Sequence, residues 1–220
     1  MSRKSSLFRE FPVLVIVALA VSLIIKTFLV QFFFIPSGSM ENTLQINDRV
    51  AVNKIPFISS SIHRGDVVVF RDPANWLPEP YAGAENKVVA KIKEGLVAVG
   101  VLPNPAKQYL VKRVIGVAGD HIVCCSKTGG LLINDKVTSE PYIFAGNKPS
   151  EMNFNVTVPE GKVWVMGDHR GSSADSRYHQ DDVNNGFVPV SRITGRVYAI
   201  IWPLKDAGLV PSHDPIKPLK

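Results

Sequence analysis

The strongest constraint in this 220-residue sequence is an apolar run near its start. From Phe11 to Ile35 there are 25 residues carrying a single charge, Lys26. As a helix the run reaches about 37 Å, enough to cross a bilayer with tilt. Pro12 suits the first turn of such a helix. Lys26 is costly at mid-bilayer, but it lies nearer the far end, where a long side chain snorkels to the interface. The expected embedded part is about residues 11–29, with Phe32, Phe33 and Phe34 at the far interface. Residues 1–10 carry Arg3, Lys4 and Arg9, which places this short tail in the cytoplasm and the body outside it. A cleaved secretory leader also starts basic and continues apolar. This run is longer than such a core, however, and leads into Phe and Ile instead of a small-residue cut site. Ala18 and Ala20 have A-x-A spacing, but a cut there divides the run. The uncleaved membrane anchor is the reading adopted.

The formal charge of +6 could signal nucleic acid. Beyond the residues flanking the apolar run, however, Lys and Arg are scattered and no basic stripe interleaves with aromatics. Nucleic-acid binding is not expected. The two cysteines, Cys124 and Cys125, are adjacent, and neighbouring Cα atoms sit closer than a relaxed disulfide requires. They make no framework and no zinc spacing. They read as a strand pair, one facing in and one out.

The body reads as mainly β. Val- and Ile-rich runs recur at Asp48–Asn53, Asp66–Phe70, Tyr109–Val117, His121–Cys125, Leu131–Ile133, Asn155–Val158, Lys162–Met166 and Ile193–Trp202, separated by Gly- and Pro-containing turns. The spacing predicts antiparallel sheets forming a partly closed, barrel-like domain over residues 36–203. An inserted segment, residues 72–105, carries Val88, Ile92, Leu96 and Val99 at helical spacing, which predicts a helix over Lys87–Leu102. That helix could pack on the core or touch lipid. Residues 204–220, with Pro211, Pro215 and Pro218, read as a loose tail.

Three polar clusters interrupt this pattern: Pro36-Ser37-Gly38-Ser39-Met40 directly after the apolar run, Lys112 inside the strand pattern Tyr109–Val117, and Met166–Arg177 after an apolar strand. A Ser in a Gly-flanked turn has free backbone N–H groups beside it, which suit a developing oxyanion. It needs a base to act as a nucleophile. None of the five histidines has a nucleophile-elbow context. A Lys serves as base when burial keeps it neutral. Spacing alone leaves open whether these are ordinary turn and surface residues. His169, Asp175, His179, Asp181 and Asp182 lack a recognised metal-ligand spacing, and no metal is expected.

Together the blocks PSGSM, RGDVVVF (Arg64–Phe70), VKRVIGVAGD and MGDHRGSSADSR, in that order after an anchor, resemble the bacterial type I signal peptidase (leader peptidase) family. The resemblance runs from the anchor to about Trp202. It implies a membrane-anchored serine endopeptidase with a β catalytic domain and no cofactor, which removes signal peptides from exported preproteins after small residues at −1 and −3. By motif position Ser39 matches the nucleophile and Lys112 the general base. Ser37 and the backbone N–H of Ser39 match the oxyanion hole, and Ser173 the hydroxyl that orients the Lys. Asp175 and Arg177 match a supporting ion pair, and Gly167 and Asp168 structural positions. Phe33, Ile35, Met40, Leu44, Leu110 and Val111 match the lining of shallow substrate pockets. Asn42 stands where many members have Pro, His169 where Asn is frequent, and Gly171 and Ser172 where an Asp-Asn pair is common. The segment Tyr178–Asn185 is longer than usual. Ser39 lies four residues beyond Ile35, at most about 14 Å away, so a nucleophile there works near the membrane surface. Two other classes stay open: an anchored non-catalytic β-domain, and a self-cleaving Ser-Lys protease of the repressor type, for which no DNA-binding segment is present.

Overall fold

The computed structural model describes residues 10–19, 21, 29–54, 62–78, 108–127 and 129–216. Among the described residues twelve strands build two antiparallel sheets. They are β1 (Val30–Phe34), β2 (Arg49–Asn53), β3 (Val67–Arg71), β4 (Tyr109–Gly116), β5 (His121–Cys124), β6 (Leu132–Ile133), β7 (Lys136–Val137), β8 (Phe154–Thr157), β9 (Lys162–Met166), β10 (Val188–Pro189), β11 (Ile193–Trp202) and β12 (Gly208–Leu209). The larger sheet runs β1-β2-β11-β3-β4-β9-β10, with β12 on β11. The smaller runs β7-β6-β5-β8.

Side-chain alternation explains the layering. Strand β3 is a continuous apolar run, as expected of a strand covered on both faces. Val67 and Val69 enter one core with Ile35, Met40, Leu44, Val50 and Val52, while Val68 and Phe70 enter another with Val114, Val163 and Val165. A third core joins the two sheets through Trp164 and Met166 of β9, packed on Ile122, Leu131 and Ile133. Consecutive residues of one strand thus serve opposite cores, as a two-residue period requires.

Several expectations change. The sheets are antiparallel as predicted, but the larger one is open: among the described residues no pairing joins its edges β1 and β10, so the barrel-like closure is not seen. Residues 10–19 are helical and exposed. Among the described residues no helix is long and apolar enough to cross a membrane. Residues 20 and 22–28 of the expected span lie outside the described residues, as does the helix expected over Lys87–Leu102. The end of the apolar run is not helical. Val30–Phe34 is an edge strand paired with β2 in the register Phe32↔Ala51. β-branched and aromatic residues favour a pleated surface, and the alternation turns Phe33 inward against Tyr109, ring centroids 5.0 Å apart, while Phe32 and Phe34 face out.

Of the expected loose tail, residues 204–216 are tied down, and residues 217–220 lie outside the described residues. β12 pairs with β11, Ser139 N–H donates to Pro215 C=O at 2.7 Å, and Ile216 packs on the core. At the Arg64-Gly65-Asp66 turn, Gly65 has φ +88° and a Cβ there would collide with the His213 backbone, so that turn requires glycine. Cys124 is buried and Cys125 exposed, as expected, but their sulfurs are joined in a disulfide between neighbours, which the sequence reading did not expect.

Candidate active site

The Gly38–Met40 segment forms a single 3-10 turn between β1 and β2. It buries Ser39 and Met40 and leaves Ser37 exposed. The first N–H groups of such a turn have no partner within it. Across from it, β4 delivers Lys112. In VKRVIG, flanking side chains alternate faces, so two successive cations cannot both reach water in a covered strand. Lys112 and Arg113 are both buried, 4% and 1% exposed.

Lys112 Nζ lies 2.5 Å from Ser39 Oγ. The two residues are 73 positions apart in sequence and meet because β4 occupies the middle of the sheet. Burial lowers the Lys112 ammonium pKa from its usual value to about 8, opposed by the negative charges of Asp175 and Asp168 and assisted by Arg177. The amine is therefore partly neutral near physiological pH. Ser37 Oγ is 3.5 Å from Ser39 Oγ, at the limit of a hydrogen bond.

Asp175 organises the far wall. Its carboxylate accepts from Gly167 N–H (2.9 Å), Ser173 Oγ (2.7 Å) and Arg177 Nε and Nη2 (2.8 and 2.9 Å). The Asp175–Arg177 pair is wholly buried. Ser173 is buried beside the site, but its hydroxyl donates to Asp175, and among the described residues no hydrogen bond joins it to Lys112. Gly167 is irreplaceable by contact: a Cβ there would collide with Ser173 Oγ and with the Ser39 carbonyl.

Asp168 lies two residues beyond the end of β9. It receives both Arg113 Nε and Nη2, at 2.8 and 2.7 Å, and the Thr43 hydroxyl at 2.5 Å. Arg113 also stacks over Tyr142, 4.1 Å from its centroid, and donates to Gly65 C=O. Arg113, Thr43 and Tyr142 were not singled out from sequence. The adjacent-cation pattern in β4 was the available signal for Arg113, while Thr43 and Tyr142 carried none.

Of the expected pocket residues, Phe33, Ile35, Met40, Leu44 and Val111 gather in one core, with Ile35, Met40 and Leu44 fully inside it. Leu110 faces the opposite core beside Val114, being one residue out of phase with Val111. Asn42 adopts φ 84°, which a proline ring locked near −65° cannot reach, and its amide donates to Tyr142 C=O at 3.1 Å. The long segment Tyr178–Asn185 is pinned to the start of the insertion. Trp76 Nε1 donates to Asp182 at 2.6 Å, and Trp76 stacks on His179 with centroids 4.4 Å apart. Among the described residues no group of three His, Cys, Asp or Glu side chains could hold a metal ion.

A serine hydroxyl held against a buried lysine amine on a β scaffold is the arrangement that a serine hydrolase with a lysine base would require. The chain belongs to the signal peptidase family, peptidase S26, whose profile matches residues 8–202. It is 37% identical to the probable signal peptidase I of Mycobacterium leprae, over 96% of this chain and 81% of that protein. It is 32% identical to the probable signal peptidase I-2 of a Synechocystis strain, over 89% and 73%, and 29% identical to the signal peptidase I of Bacillus amyloliquefaciens, over 93% and 90%. The chain is a hydrolase of the serine peptidase class.

Proposed function

We propose that this chain is a membrane-anchored endopeptidase that removes signal peptides from exported preproteins, with Ser39 as nucleophile and neutral Lys112 as general base. The observation that carries the reading is the 2.5 Å contact between Ser39 Oγ and a buried Lys112 Nζ whose pKa is lowered to about 8. Ser39 Oγ attacks the scissile carbonyl carbon while its proton passes to Lys112. The tetrahedral oxyanion is met by the Ser39 N–H and the Ser37 hydroxyl. Collapse breaks the C–N bond, and the lysine's proton goes to the departing amine of the mature protein. Water then attacks the Ser39 ester and gives a proton to Lys112, and as the acyl–oxygen bond breaks and the signal peptide's carboxylate leaves, that proton returns to Ser39 Oγ. No step calls on a cofactor. Asp175 and Arg177 hold the wall that carries Ser173 and Gly167, and so fix the space around the lysine.

The anchoring half of the proposal rests on surface chemistry. Phe11, Leu14, Ile16 and Leu19 are exposed on the helical stretch of the apolar run. On the larger sheet Arg49 lies between Phe34 and Trp202, and all three are exposed. Aromatic and basic residues side by side suit a membrane–water interface. With Arg3, Lys4 and Arg9 on the tail, this reading has the N-terminal tail in the cytoplasm and the catalytic domain outside, with lipid and preprotein as partners.

The proposed substrate preference is consistent with the core packing. Ile35, Met40 and Leu44 are fully packed in the core behind the Ser39 turn, which suits the small side chains at −1 and −3 that the family resemblance implies. Replacing the −1 alanine of a preprotein by a large residue such as Trp is expected to slow its processing at least 100-fold, measured as precursor loss on a gel. Equal processing of both preproteins would contradict the assignment of substrate class.

A further inference from the structure

Resting on the reading of Ser39 as nucleophile, we infer that His169 and Glu41 form a clamp that positions the nucleophile turn against the lysine. His169 follows Asp168 directly and touches the turn twice. Its backbone N–H donates to the Ser39 carbonyl at 3.1 Å. Its Nδ1 lies 2.8 Å from Glu41 Oε2, two residues beyond Ser39. That contact requires Nδ1 to carry the proton. The imidazole is held flat against Phe144, centroids 4.1 Å apart and planes 16° from parallel, and Phe144 N–H is bonded to Asp168 C=O at 3.0 Å.

Glu41 is placed as firmly. Its N–H closes the 3-10 turn on Gly38 C=O at 3.0 Å. Its carboxylate folds back over Gly38, so close that a Cβ on Gly38 would sit 2.8 Å from the carboxyl carbon. The bonds around Ser39 thus form one closed loop: Ser39 carbonyl to His169 N–H, His169 ring to Glu41, Glu41 N–H back to Gly38. Neither side chain reaches Ser39 Oγ or Lys112, so both act by position. Lys112 is carried by the interior strand β4, so the position of the turn sets the distance between Ser39 and Lys112. A displacement near 1 Å costs on the order of 100-fold in rate.

The test is a double-mutant cycle with steady-state kinetics on the full chain in detergent-lipid micelles, with a preprotein as substrate. His169→Ala and Glu41→Ala are each expected to lower kcat about 10- to 100-fold with KM within twofold. The double variant is expected to be no slower than the slower single, because either change opens the same loop. His169→Asn keeps an N–H donor near the Nδ1 position and Glu41→Gln keeps an acceptor, so both are expected to recover to within about threefold of wild type. A loss of general packing would not be restored by these two side chains. Unchanged kcat, a loss carried by KM, multiplying losses, or no recovery in the Asn and Gln variants would each overturn the clamp. If His169→Ala fails to fold, the partly exposed Glu41 series alone decides it. Ser39→Ala run in parallel separates the two levels. An inactive Ser39→Ala with fully active Ala variants at 41 and 169 overturns only the clamp, whereas an active Ser39→Ala overturns the nucleophile on which it rests.

Discussion

The kcat/KM of cleavage is expected to rise about tenfold per pH unit at low pH and to level off above about pH 8. The sign follows from the chemistry. In the proposed mechanism protonated Lys112 cannot accept the Ser39 proton, so the active fraction is the neutral amine, which grows as pH climbs through the pKa of about 8. An ordinary lysine would place the limb more than two units higher. Burial is the main cause of the lowering, so the limb should stay near pH 8 as long as the site remains closed to water. Lys112→Met removes the base and keeps a side chain of similar length. It is expected to lower kcat/KM by about 10⁴-fold, the upper range for a general base. Stability should not fall with it, because an apolar side chain replaces a buried amine. A melting temperature near wild type, together with a flat and very low pH profile, is the expected pairing for this variant.

Asp175→Ala is expected to give the largest loss of stability. Arg177 is wholly buried, and four of its hydrogen bonds run to Asp175, Ser173 and Arg170 through Nε and Nη2. Removing the carboxylate leaves a buried guanidinium without its counter-charge, at a cost of about 3–5 kcal/mol. For a chain of this length that lowers the melting temperature by roughly 10 °C. Asp175→Ala/Arg177→Met should recover part of it, since removing both charges avoids the unpaired ion. The same variant links stability to chemistry. Asp175 raises the Lys112 pKa through its charge, so its loss should move the acid limb of the pH profile to lower pH. Calorimetry and the pH profile of one protein preparation check both statements.

The strands were legible where Val and Ile repeat. β9 and β11 match their expected bounds, β2, β4, β5 and β6 differ by one residue at one end, and β3 and β8 are shifted by one residue at both ends. What escaped has identifiable causes. Val30–Phe34 continues an apolar run, and hydropathy does not distinguish the last turns of a helix from an edge strand; only pairing with β2 decides it. β7, β10 and β12 are two residues each, too short to show a period. The packing of residues 208–216 depends on backbone contacts to β11, Ser139 and the Gly65 turn, which leave no mark in composition. At the site, Ser39 and Lys112 were found through motif resemblance, since no local rule connects residues 73 positions apart. Leu110 was grouped with Val111 by the same resemblance, although strand alternation sends them to opposite cores. Ser173 was expected to bond Lys112, and instead its proton goes to Asp175, whose acceptor capacity dominates that wall.

The most direct measurement is the mass of the product released when the full chain, in lipid vesicles, meets a signal-peptide-bearing preprotein, with Ser39→Ala as the paired control. The account predicts a single mature product, cut after a small residue at −1, from the wild-type chain, and uncut precursor from a folded Ser39→Ala variant. The same product from Ser39→Ala would contradict it.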